Sequence, residues 1–168
     1  MGNRKAFLAW WLIAVYIIIM LGVSFELGIL NDIWEKDFTK LSFLNIGILI
    51  SATIWCGFKS WKLTTLSAYK VAPQNALKKL ENTMEAGWFV SDITLTIGMV
   101  GTVTGFIAML SGFADLNVED IATVQGLITE LGFGMSTALY TTLTGLVSSV
   151  LLKIQCFNIS NNINKLLK

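Results

Sequence analysis

Threonine is the residue type through which this chain could do chemistry, and its threonines stand among glycines at helical spacing in two apolar stretches. In residues 90–113, Thr94, Gly98, Gly101 with Thr102, Gly105, Ala108 and Gly112 recur at steps of three and four. In residues 133–157, Ala138, Thr142, Gly145 and Ser149 do the same. That spacing puts each set on one face of a helix. A hydroxyl can donate to a carboxylate or coordinate an ion, but it does not take up and release protons near neutral pH. Any titrating group served by these faces must therefore come from elsewhere. The same faces suit packing, because membrane helices associate through small residues and hydroxyl hydrogen bonds.

Other chemistry is sparse. The chain has no histidine and two cysteines, Cys56 and Cys156, which read as small apolar side chains near the inner ends of spans. No metal-ligand cluster, nucleophile with its base or phosphate-cradling loop can be assembled, so neither catalysis, a metal nor a cofactor is expected. The formal net charge of +1 gives no reason to expect nucleic acid as a partner. Two charges stand close to the threonine faces. Asp92 lies ten residues before Thr102 and Lys153 eleven after Thr142. In antiparallel helices both would sit about 15 Å to the cytoplasmic side of those threonines, at similar depth. The spacing predicts an ion pair; the alternative is that Asp92 caps its helix and Lys153 snorkels to the headgroups. No span is expected to carry an ionisable residue near its middle.

The elements that must position these residues follow from hydropathy. With 54% hydrophobic and 14% charged residues, the 168-residue chain reads as an all-α integral membrane protein. Four stretches are long enough for a hydrocarbon core roughly 30 Å thick: residues 7–25, 41–58, 90–113 and 133–157. The first follows Arg4 and Lys5, runs longer than a signal-peptide core and lacks a cleavage site, so it is expected to be retained. Of the twelve basic residues, all but Lys36 and Lys40 fall in the N-terminal segment, residues 59–89 or the C-terminal part. By the positive-inside rule both termini and residues 59–89 are cytoplasmic, and residues 26–40 and 114–132 face outward. Within 59–89, residues 74–85 place Leu77, Leu80 and Met84 on one side of a short helical extension that continues toward the third span. A short outer amphipathic helix is predicted over 118–131, with Asn117 as its cap. The spans form a single membrane domain.

The local wording goes further than the stripes. IGMVGTVTGF at 97–106 resembles the penultimate helix of the MotA/TolQ/ExbB family, with its G-hydrophobic-hydrophobic-G-T-V-x-G pattern, and GMSTALYTTLTGL at 134–146 resembles the family's last helix. The resemblance implies a homo-oligomeric ring, usually a pentamer, in the bacterial inner membrane. That ring surrounds a dimer of single-span partners of the MotB/ExbD/TolR kind, whose membrane aspartate is protonated in turn as protons or sodium ions pass. It implies that Thr102 and Thr142 face that aspartate, with Thr137 and Thr141 beside the ion pathway, while Gly98, Gly101, Gly105, Ala138, Gly145 and Ser149 pack the helices. Four spans match the flagellar-stator branch. Thr137 stands where the transport-energising branch has a membrane glutamate, and the interval 59–89 is much shorter than the flagellar rotor-engaging insertion. The competing reading is a passive scaffold whose Gly/Thr stripes only pack.

Overall fold

The computed structural model describes residues 4–68, 74–111 and 121–167, all within helices or the short turns between them. The elements are α1 (Arg4–Glu26), α2 (Ile29–Lys36), α3 (Leu41–Ala68), α4 (Gln74–Ser111) and α5 (Ile121–Leu167). Among the described residues, four of these helices are long and apolar enough to cross a membrane: Phe7–Glu26, Leu41–Thr65, Gln74–Ser111 and Val124–Lys165.

The helices extend past the apolar runs that seeded them. α3 continues through Ala68, and α4 starts at Gln74 and runs unbroken into the third span, so the interval between the second and third spans is mostly helix. The helix expected at 118–131 and the span expected at 133–157 are one element, α5, of 47 residues and about 70 Å. Gly132 and Gly134 do not interrupt it, because no proline or capping residue accompanies them and Gly134 packs flat on Gly105 and Met109 of α4. Asn117 lies outside the described residues.

Residues 26–40, between the first two expected spans, contain α2. Gly28, at φ +72°, turns the chain out of α1 in the left-handed conformation that glycine tolerates. Asp37 then caps α3. Its Oδ1 accepts from the backbone N–H of Thr39 and Lys40 and from the Thr39 hydroxyl, and its Oδ2 accepts from the Ser42 N–H, all within 3.1 Å. Trp34 of α2 meets Phe43 edge-on at 5.3 Å and carries the Lys40 ammonium 3.9 Å above its ring.

Two layers result. α4 and α5 are antiparallel and form the most extensive contact, and α3 packs alongside both with α1 outside it. Two apolar clusters hold the layers together. At the end of the bundle where α1 and α4 begin, hereafter the base, Leu77, Leu80 and Met84 pack with Cys56, Leu63, Cys156, Ile159 and Ile163. Higher up, Ile17, Leu49 and Leu152 join Ile13, Leu21, Val90 and Leu151. α1 buries little else: Leu8, Trp11, Leu12, Tyr16, Ile18, Ile19 and Val23 are exposed, as befits a helix surrounded by lipid.

Candidate functional site

The threonine face is built on backbone contact between α4 and α5. A Cβ on Gly145 would stand 2.8 Å from the Thr94 carbonyl oxygen and 2.9 Å from Gly98 Cα, and one on Gly105 would stand 2.6 Å from the Gly134 carbonyl oxygen. One on Gly98 would meet the Thr141 carbonyl at 3.1 Å, and Gly101 lies against the Thr141 side chain. Only glycine allows this approach, and it brings hydroxyls on facing helices within bonding reach. Gly98, Gly101, Gly105, Ala138, Gly145 and Ser149 are all buried at or beside the seam.

At the edge of the seam the Thr102 and Thr142 hydroxyls are hydrogen-bonded to each other. Each also bonds its own helix, Thr102 to the Gly98 carbonyl at 3.1 Å and Thr142 to the Ala138 carbonyl at 2.8 Å, while Thr142 reaches Gly98 across the seam at 3.4 Å. Two hydroxyl oxygens and the Gly98 carbonyl thus converge on one half-buried spot. The two hydroxyls have two protons between them, so one lies between the hydroxyls while the other is held by a carbonyl; their oxygens keep lone pairs for a cation, and by releasing its acceptor either hydroxyl can donate to a carboxylate.

Thr137 and Thr141 are placed otherwise. Both are fully buried, so neither lies on an accessible face. Thr137 donates to the Lys36 carbonyl at the end of α2 at 2.6 Å, and Thr141 donates back to Thr137 and packs against Gly101. The reason is angular: one residue turns a helix by about 100°, so a neighbour of Thr142 in sequence is not a neighbour in direction. In this chain Thr137 fixes α2 to α5, and Thr141 belongs to the seam.

Lys153 and Asp92 meet, with Nζ 2.9 Å from Oδ1. Asp92 does not cap a helix, since it lies deep inside α4, eighteen residues after its first residue. Both charges share the threonine face. From Thr142 to Lys153 is eleven residues, about three full turns, and Thr102 and Asp92 lie within about 80° of each other around α4. Val90 and Leu151, each two residues before one of the charges, point the other way, into the cluster with α1 and α3.

The level of these groups relative to the outer layer is set by how the two layers register. Ile17, at the middle of α1, and Leu49, at the middle of the apolar run of α3, pack with Val90, Leu151 and Leu152, all within two residues of Asp92 or Lys153. The ion pair is therefore level with the centre of the outer layer. The threonine pair is one turn from Gly145, which touches Asn45 in the first turns of α3, so it is level with the outer layer's α2 end. Beyond it α4 and α5 stay packed on each other through Gly105 and Gly134 and expose Val103, Phe106, Ile107, Leu110, Ile128, Phe133, Met135 and Leu139. Composition along single helices could not reveal this stagger, because it depends on how the two layers register against each other.

Hydropathy reading also passed over three buried polar residues. Asn45 is fully buried with neither side-chain atom hydrogen-bonded, Gln155 donates to the Thr53 hydroxyl at 3.1 Å, and Asp37 holds the α3 cap. An amide in the interior of each of two apolar spans was the available signal for the first two.

A family model described as the MotA/TolQ/ExbB proton channel family matches residues 62–168, which is well over half of the chain and contains all of α4 and α5. No curated protein and no solved structure matches it.

Proposed function

We propose that this chain, which belongs to the MotA/TolQ/ExbB proton channel family, is the ring-forming subunit of a proton- or sodium-driven membrane motor. Its four apolar helices and its family make it a multi-pass membrane protein. In this reading several copies, five by the resemblance, stand in the bacterial inner membrane with both termini cytoplasmic. They enclose a dimer of single-span partners of the MotB/ExbD/TolR kind that bring a membrane aspartate. The single observation that carries the reading is the accessible cluster of Thr102 Oγ1, Thr142 Oγ1 and the Gly98 carbonyl on the face turned away from α1 and α3.

The chemistry follows from donor and acceptor counts. An ionised partner carboxylate at the cluster accepts a hydrogen bond from a threonine hydroxyl; once protonated, it donates to a threonine oxygen instead. The cluster can serve both states without changing its own charge, so the acid's two states are held in slightly different positions, and alternation between them moves the partner against the ring. The exposed apolar side chains of α4 and α5, such as Phe106, Leu110 and Leu139, suit contact with neighbouring copies or with lipid.

The test is ion flux through the complex purified from membranes by a tag on this chain, in sealed vesicles. Thr102→Val and Thr142→Val keep shape and lose the hydroxyl; each is expected to lower flux by about tenfold or more, with the complex still assembled. Unchanged flux in the double variant favours the passive scaffold. A purified complex without a single-span companion would also overturn the motor reading.

A further inference from the structure

At the base, α1 and α3 leave between them a groove of about 680 Å³. That lies within the range of about 300–1,000 Å³ typical of small-ligand sites. Gly57 lets the Trp10 indole lie against α3, because a Cβ there would overlap the ring, and Trp10 Nε1 donates to the Thr53 carbonyl at 2.9 Å. Phe7 stands against Trp10 with ring centres 5.7 Å apart and meets Trp61 edge-on at 5.8 Å. The inner wall is thus fixed in place. The outer aromatic walls are uncovered in the subunit, with Trp11 54%, Phe58 72% and Trp61 67% exposed.

The groove's charge is at one end. Lys62 and Thr65 lie one and two turns nearer the base than Phe58, whereas Ile54, about 16 Å from Thr65 along α3, stands at the other end. Among the described residues no carboxylate pairs with Lys62, and Lys59, the preceding cation on α3, is engaged outside the groove with the Trp55 ring 5.2 Å away. Apolar walls that end in a lysine and a hydroxyl complement an amphiphile with a hydrocarbon tail and an anionic head. Basic pockets between membrane helices bind anionic phospholipid heads in this way, and tryptophan favours the boundary between hydrocarbon and water. A helix about 10 Å across and as long as the groove would need about twice its volume, so a flexible chain fits where another helix does not.

We propose that the groove between α1 and α3 binds one anionic phospholipid, with an acyl chain between Trp11 and Phe58 and the phosphate held by the Lys62 ammonium and the Thr65 hydroxyl. The site is independent of the motor reading, because no residue of the threonine cluster takes part in it. Among its described side chains α1 buries only Ile17, so a chain filling the groove adds apolar contact between α1 and α3 where the protein supplies little of its own. The Lys62 contact makes that added stability depend on the charge of the lipid head.

Two measurements test this. The complex purified from membranes by a tag on this chain is stripped of lipid in a neutral detergent and titrated with phosphatidylglycerol or phosphatidylcholine of the same chains, with binding read by native mass spectrometry and by the unfolding midpoint. One phosphatidylglycerol per subunit is expected to bind about fivefold more tightly than phosphatidylcholine and to raise the midpoint. Glycerol phosphate, a head without chains, is expected to do neither. Lys62→Met keeps the apolar stem and is expected to abolish the preference while leaving phosphatidylcholine binding unchanged; Lys62→Arg is expected to retain the preference. Lys79→Met, at an exposed position of α4, is the control and is expected to leave it intact. Equal affinity for the two lipids in the wild-type complex overturns the site. So does an equal loss of preference in Lys62→Met and Lys79→Met, which marks diffuse charge attraction, or equal stabilisation by glycerol phosphate, which marks a site for a free anion. In native membranes, a photoreactive benzophenone in place of the Phe58 ring is expected to attach to phospholipid. Attachment to a polypeptide, whether another copy of this chain or a different protein, overturns the lipid site.

Discussion

α1 and the α4–α5 pair are both apolar and both long enough to span a membrane, yet they are held in place by opposite means. Among its described side chains α1 contributes one buried residue, Ile17, and a Cβ added to its Gly22 would meet nothing within 4 Å. α4 and α5 meet through Gly98, Gly105, Gly134 and Gly145 with backbone against backbone. Where a helix faces lipid, side-chain size is nearly free to vary. Where two helices must bring hydroxyls and carbonyls together, size is fixed to a single hydrogen. The matched family region is the second kind of surface, and α1 lies outside it.

The sharpest way to break this contrast is to add volume on both sides. Gly145→Val drives two methyls into the Thr94 carbonyl and Gly98, and should destabilise by about 1–3 kcal/mol or more, read as loss of assembled complex and a lower unfolding midpoint in detergent. Gly105→Val should behave alike, because its neighbours are also backbone. Next in size is the turn that joins the layers. Asp37→Ala removes four hydrogen bonds at the start of α3 and should cost about 1–2 kcal/mol, with Asp37→Asn recovering part of it in the same unfolding measurement. Thr53→Val takes away the acceptor of Gln155 Nε2 in a buried site and should cost about 1–2 kcal/mol. The smallest effect is expected on the lipid side: Gly22→Ala should change stability by less than about 0.5 kcal/mol, or raise it slightly through helix propensity. A Gly22→Ala effect as large as that of Gly145→Val would erase the distinction.

Much of the fold was legible in sequence because each span is a local, periodic signal. The glycine and threonine steps named the seam between α4 and α5, and their family wording named Thr102 and Thr142, which the structure brings together. Other features had no local signature. α5 continues through Gly132 because tertiary packing against α4 outweighs a propensity cost of about 1 kcal/mol. Thr137 and Thr141 lie close to Thr142 in sequence, but helix rotation turns them inward. The level of Asp92 and Lys153 follows only from the packing of Ile17 and Leu49 beside Val90 and Leu152. Asp37 was readable in principle, as an acid two and three residues ahead of Thr39 and Lys40 at a helix start.

α5 has one more implication. From Ile121 to Leu167 it is a continuous helix without proline, the chain's single proline being Pro73. Such a rod has no proline hinge, and in the motor reading a push or twist delivered beside Thr142 would be carried along its axis to the Ile159 and Ile163 contacts at the far end. Whatever is attached to that foot would feel, as leverage, each event at the hydroxyl pair.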